Sequence, residues 1–135
     1  MMTKKAVTQL SYEIIGLAIK VHKNLGPGLL ESIYEECLKY ELLKNGYAVK
    51  QQFVVPIIYE GVEMKTRLVA DLLVNDCIVI ELKAQEETLP VHEAQLLTYM
   101  KVLKKPQGLL INFFTTNITK SLKPLVNEYF TQLPD

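Results

Sequence analysis

Two apolar segments of this 135-residue chain carry charges that neither needs in order to fold: Leu68-Val69-Ala70-Asp71-Leu72-Leu73-Val74 and Ile78-Val79-Ile80-Glu81-Leu82-Lys83-Ala84. Both read as strands. A charge in such a place is costly unless it is paired, hydrogen-bonded or bound to a metal. Glu81 and Lys83, two residues apart, project from one face, which leaves Ile78, Ile80, Leu82 and Ala84 as an apolar opposite face. Asp71 shares its face with Val69 and Leu73. It turns toward Glu81 only if the hairpin around Asn75-Asp76 has an odd loop or a bulge, because a two-residue loop sets Asp71 against Ile80. With the odd loop, two carboxylates and an ammonium converge. Carboxylate oxygens are hard ligands suited to Mg2+ or Mn2+, and such ions keep positions for water and phosphate oxygens. Lys83 would then orient or deprotonate an attacking water, or offset charge building on a phosphoryl group. The alternative is an ion pair of Lys83 with Glu81 or Asp71 where the sheet meets solvent.

These residues need elements to hold them. Apolar residues at Leu10, Ile14, Leu17, Val21 and Leu25 predict a helix capped by Thr8 or Ser11 and broken by Gly26-Pro27-Gly28. Leu30, Ile33, Tyr34, Cys37, Leu38 and Leu42 predict a second helix, closed by Gly46 in the left-handed position. Glu31 stands in its first turn, where an acid is also favoured by the helix N-terminus alone. Gly28 frees the backbone for the bend that aims Glu31 inward. Extended structure follows from Val49 to Tyr59, with Pro56 marking an edge or a bulge. A turn at Glu60-Gly61 leads into a strand from about Glu63 to Val74, and the strand Cys77 to Ala84 comes next. A third helix, Val91 to Leu103, is expected to pack through Ala94, Leu97, Met100 and Leu103, with Gln95 and Tyr99 one turn apart beside them. Leu109 to Thr115 reads as a strand covered on both faces. The tail from Ser121 to Phe130 reads as a short helix or a docked extended piece. The crossover from Ala84 to Leu109 is long enough to lay the last strand parallel to its neighbour. The fold class is α/β (α+β), a mixed central sheet with an antiparallel three-stranded meander flanked by helices, in a single domain over residues 1–135.

Net charge is zero, from 15 basic and 15 acidic residues, so no global basic surface argues for a duplex partner. The five lysines between residues 101 and 123, with no acid among them, predict a local positive stripe. Cys37 and Cys77 lack a CxxC pair or a nearby histidine and read as free thiols in a reducing compartment. His22 and His92 stand at no zinc-ligand spacing, and His92 reads as a surface or capping residue. No signal peptide and no stretch near the ~20 apolar residues of a membrane span is evident, so a cytoplasmic protein without a membrane partner is expected.

Asp71, the triplet Glu81-Leu82-Lys83 and the later Gln95-x-x-x-Tyr99 resemble the signature of the PD-(D/E)XK nuclease superfamily. Gly28-x-x-Glu31-x-x-Tyr34 resembles the motif that names the GxxExxY proteins, a group assigned to that superfamily. The resemblance covers roughly Ile14 to Asn112. It implies a restriction-endonuclease-like core and a metal-dependent phosphodiester hydrolase acting on nucleic acid, with Mg2+ or Mn2+ as cofactor. Asp71, Glu81 and the Leu82 carbonyl would hold the ion, Glu31 would complete its shell, and Lys83 would serve the nucleophilic water. Gln95 would support the site or contact the phosphate backbone, with Gly28, Tyr34 and Tyr99 in support. Compact members often dimerise, so a homodimer is a further expectation. The sequence departs from the pattern at Ala70, where the superfamily has proline. A non-catalytic module binding nucleic acid or a protein is the competing reading, favoured by the neutral charge and by Arg67 being the one arginine. A structural subunit with an ion-pair network is the third.

Overall fold

The computed structural model describes residues 2–135; Met1, which the expected domain includes, lies outside the described residues. Helix α1 spans Lys4–Leu25 and starts earlier than the apolar stripe from Leu10 predicts. Thr3 is its cap, with Oγ1 accepting from Ala6 N–H at 3.0 Å. Ser11, expected as a cap, is buried inside the helix, where its hydroxyl accepts from Gln107 Nε2 at 2.9 Å. Helix α2 spans Glu31–Lys44, and Gly46 follows it at φ 88 in the left-handed region. Its buried face is Tyr34, Glu35, Leu38, Glu41 and Leu42, whereas Leu30 and Ile33, expected in the stripe, are exposed. The helix is rotated toward two acids because both find partners: Glu41 pairs with Lys20 at 2.7 Å, and Glu35 receives glutamine side chains from the sheet.

Strands β1 (Val49–Val55), β4 (Leu68–Val74), β5 (Ile78–Lys83), β6 (Gln107–Asn112) and β7 (Leu122–Val126) form one sheet in the order β1-β4-β5-β6-β7. β5 and β6 run parallel, across the crossover that contains helix α3 (Pro90–Leu103); the other neighbours are antiparallel. Pro56 ends β1, and the strand expected from Glu63 to Val74 is two pieces. β2 (Ile58–Tyr59) and β3 (Val62–Glu63) close a separate small hairpin, and β4 begins only at Leu68. The tail contributes both expected forms, an edge strand β7 and a short helix α4 (Glu128–Thr131).

Apolar residues cover both sheet faces. Leu72, Val74, Ile78, Ile80, Leu82, Leu109 and Ile111 pack under α1 and α2. Leu73, Val79 and Leu110 pack under α3 through Leu96, Tyr99 and Met100. Ala94 and Leu97, expected on that packed side, are exposed instead. The glycine at 108 explains how closely α3 lies: a Cβ there would stand 2.7 Å from Met100 Sδ and 2.9 Å from Leu96 Cγ.

Candidate active site

The hairpin of β4 and β5 pairs Val74 with Ile78, leaving the three-residue loop Asn75-Asp76-Cys77. Asn75 and Asp76 adopt φ of 51 and 52, conformations that short polar side chains tolerate better than most. The odd loop sets Asp71 opposite Glu81, which meets the condition the sequence imposed. The ladder runs only to Leu72↔Ile80; beyond it the strands part. Side chains then take over the amides. Glu81 Oε1 accepts from the Asp71 N–H at 2.9 Å, and Asp71 Oδ2 accepts from the Leu82 N–H at 2.8 Å. Within one strand residue, N–H and C=O point to the same edge. The Leu82 carbonyl therefore faces this gap, while the Lys83 carbonyl turns to β6 and accepts from Phe113 N–H at 2.8 Å.

Strict face alternation fails at Asp71. Ala70 packs on the α3 side and Leu72 on the α2 side, although two residues apart should share a face. Asp71 sits at this rotation and is reached from both layers. Glu31 and Glu35 approach from α2, and Tyr99, with Gln95 one turn before it, comes from α3. Glu31, Asp71, Glu81, Lys83 and Tyr99 thus lie within electrostatic reach of one another at this end of the sheet, with Gln95 one helical turn before Tyr99. Lys83 lies close enough to draw down the Glu31 and Glu81 carboxyls, yet it forms no ion pair among the described residues.

Gly28 and Tyr34 act on Glu31 through the loop before α2. Gly28 stands at φ 98, a region that favours glycine. The Tyr34 hydroxyl donates to the Gly26 carbonyl and accepts from Leu29 N–H at 3.1 Å, while its ring stacks on Phe113 at 4.4 Å. The turn that launches α2 is therefore pinned from within the helix. On the far side, buried Asn112 ties down the segment after Lys83: its Oδ1 accepts from Gln85 N–H and Phe114 N–H, and its Nδ2 donates to the Gln85 carbonyl.

Three residues escaped the sequence reading. Glu35 is only 7% exposed, and Gln51 and Gln52 both donate to it. One signal was present, since Glu35 is one helical turn past Glu31. Gln51 and Gln52 offered none. The positive stripe expected from residues 101–123 is broken up: Lys105 pairs with Asp76 at 2.8 Å and Lys123 with Glu93 at 3.1 Å. His92 caps α3 as expected, its Nδ1 accepting from Leu89 N–H at 3.0 Å.

The site crowds carboxyls that burial makes reluctant to ionise. Burial, with added repulsion from Glu35 and Glu31, raises Asp71 to about 6 against the pull of the Leu82 N–H. Burial first and Asp71 second raise Glu81 to about 8, against the Asp71 N–H and Lys83. Glu31 is also raised, by burial, although Lys83 opposes this. Tyr99 is raised by burial and by the two strand acids.

A family model described as the PD-(D/E)XK nuclease superfamily matches residues 8–124. The chain belongs to the PD-(D/E)XK nuclease superfamily. No curated protein and no solved structure gives a match. PD-(D/E)XK nucleases generally depend on a divalent metal and act on nucleic acid, and the donor set can be judged against that. It consists of oxygens alone, from Glu31, Asp71, Glu81 and the Leu82 carbonyl, which suits a hard cation. The protons that burial and mutual repulsion hold on these acids are what such an ion would displace. Among the described residues no three acids close on one point. The residue types present in this member of the PD-(D/E)XK nuclease superfamily suit such a cation. No described helix is long and apolar enough to cross a membrane.

Proposed function

We propose that this chain is a Mg2+- or Mn2+-dependent phosphodiester hydrolase of the GxxExxY group, acting on nucleic acid from a single domain over residues 1–135 in the cytoplasm. The observation that carries the reading is the parting of β4 and β5 at Asp71 and Glu81. Each acid accepts an amide of the other strand there, with unpaired Lys83 alongside. Asp71, Glu81, the Leu82 carbonyl and Glu31 would hold the ion. When bound, a divalent ion supplies positive charge to a phosphoryl oxygen and acidifies a water molecule.

The chain's own residues do the rest. The Asp71 and Leu82 amides each hold one oxygen of a strand acid in the gap, which leaves Glu81 Oε2 for ligation along with Asp71 Oδ1, where Gln52 Nε2 makes a longer contact at 3.4 Å. The Lys83 ammonium donates to the attacking water or to a phosphoryl oxygen and offsets charge that develops there. Gln95, one helical turn before Tyr99, would support the site from α3. Gly28 and Tyr34 fix the start of α2 and thereby Glu31. A homodimer would widen the contact with a polymeric substrate.

Calorimetric titration of Mn2+ into wild type and into the Asp71→Ala, Glu81→Ala double variant tests the ion site. Equal binding by the two would refute it. Cleavage of a panel of single- and double-stranded DNA and RNA with either ion tests the activity. The neutral charge and single arginine favour a second reading, a non-catalytic binding module. Binding of nucleic acid that needs no metal and is unchanged in Lys83→Ala would favour that one.

A further inference from the structure

Neighbouring residues of a regular strand point to opposite faces, yet Gln51 and Gln52 reach the same carboxylate. Gln51 Nε2 donates to Glu35 Oε2 at 2.6 Å, and Gln52 Nε2 lies 2.9 and 3.1 Å from the two Glu35 oxygens. The backbone explains how. Gln52 has φ 51, a left-handed conformation that is uncommon for a residue with a Cβ and unexpected inside a strand. Pairing between β1 and β4 holds at Gln51↔Leu72 and Phe53↔Ala70 but lapses between them, at residues 52 and 71. Such strain persists only where the surroundings impose it, and it gathers at functional sites.

The amide that this distortion aims has a second target. Gln52 Nε2 also faces Asp71 Oδ1 at 3.4 Å, while Asp71 Oδ2 is occupied by the Leu82 N–H. One neutral donor thus stands between two carboxylates, one on α2 and one on β4. Charge explains why an amide is apt. A lysine in this place would compete with a cation, and an acid would add repulsion to a site already overloaded with carboxylates.

We propose that Gln52 is a positioning residue for Asp71, anchored on buried Glu35, and that the strained turn of β1 exists to aim its side chain. The bridge sets the rotation of the Asp71 carboxylate before any ligand arrives. Its consequence for metal affinity rests on the reading of Asp71 as a ligand; the bridge itself does not.

Gln52→Gly separates this role from a structural one, because glycine accepts a φ of 51 without strain. Mn2+ titration of wild type and Gln52→Gly is expected to show about a tenfold or greater loss of affinity, the usual effect of removing a group that orients a ligand. The thermal midpoint should change little, because relief of the left-handed strain offsets the donors lost to Glu35. Unchanged affinity, or a loss that follows a lowered midpoint, would overturn the proposal. The side-chain amide signals of Gln52 in metal-free protein, followed by 1H–15N NMR, decide the bridge independently. They should move in both Glu35→Gln and Asp71→Asn, and signals that stay in place in either variant would overturn it. If wild type takes up no Mn2+, the functional reading alone fails and the NMR outcome still decides the bridge.

Discussion

Replacing Glu81 by glutamine removes a charge that is only 4% exposed and keeps a side-chain oxygen to accept the Asp71 N–H. In the metal-free protein, burial and then Asp71 push this carboxyl from 4.5 to about 8. The folded state therefore holds the proton more tightly than the unfolded chain. The stability that this contributes is complete below about pH 4.5 and is lost as pH rises through about 8. At about 1.4 kcal/mol per pH unit, the whole shift amounts to about 5 kcal/mol. Asp71, raised to about 6, loses stability over the lower part of the same window, but it does so in both proteins and largely cancels in the comparison. Because the two acids share their titration, about 2 kcal/mol is the least we expect from Glu81 alone. Urea unfolding in EDTA, at about pH 5 and about pH 9, should therefore show wild type losing about 2–4 kcal/mol more than Glu81→Gln. Parallel pH profiles for the two proteins would refute the reasoning, because they would mean that Glu81 is not held protonated in the fold.

Three further variants carry expected outcomes. Tyr34→Phe keeps the stack on Phe113 but strands the Leu29 N–H and Gly26 carbonyl, so urea unfolding should show a loss of about 1–3 kcal/mol. The same variant should bind Mn2+ more weakly by calorimetry, since the start of α2 carries Glu31. Gly108→Ala drives a methyl into Met100 and Leu96 and should cost about 1–3 kcal/mol in the same unfolding assay. Lys83→Ala breaks no ion pair among the described residues, so thermal melting should shift by the equivalent of less than about 1 kcal/mol while cleavage of nucleic acid is lost.

The strand acids were legible because their signal is local. The face shared by Glu81 and Lys83 follows from period two, and the odd hairpin loop needed to bring Asp71 opposite was a condition that one register could meet. Gln95 and Tyr99 were legible for the same reason, as a one-turn helical pair. The helix faces were read less well. Leu30, Ile33, Ala94 and Leu97 look apolar enough for the core, but the rotation of α2 and α3 is set by what each packs against. Glu41 and Glu35 could turn inward only because Lys20 and the β1 glutamines were waiting for them.

Pattern along the chain gave most of the order of elements, the parallel placement of β6 after its helical crossover, and the presence of Asp71, Glu81 and Lys83 on neighbouring strands. Those features depend on near neighbours and on side-chain period. Tertiary structure alone decided where β4 and β5 part, that Lys83 stays unpaired, and that Glu35 joins the acids through a glutamine on a distorted strand. Contacts between residues far apart in sequence leave no periodic trace, and the backbone twist at Gln52 is imposed by the packed surroundings rather than by the residue type.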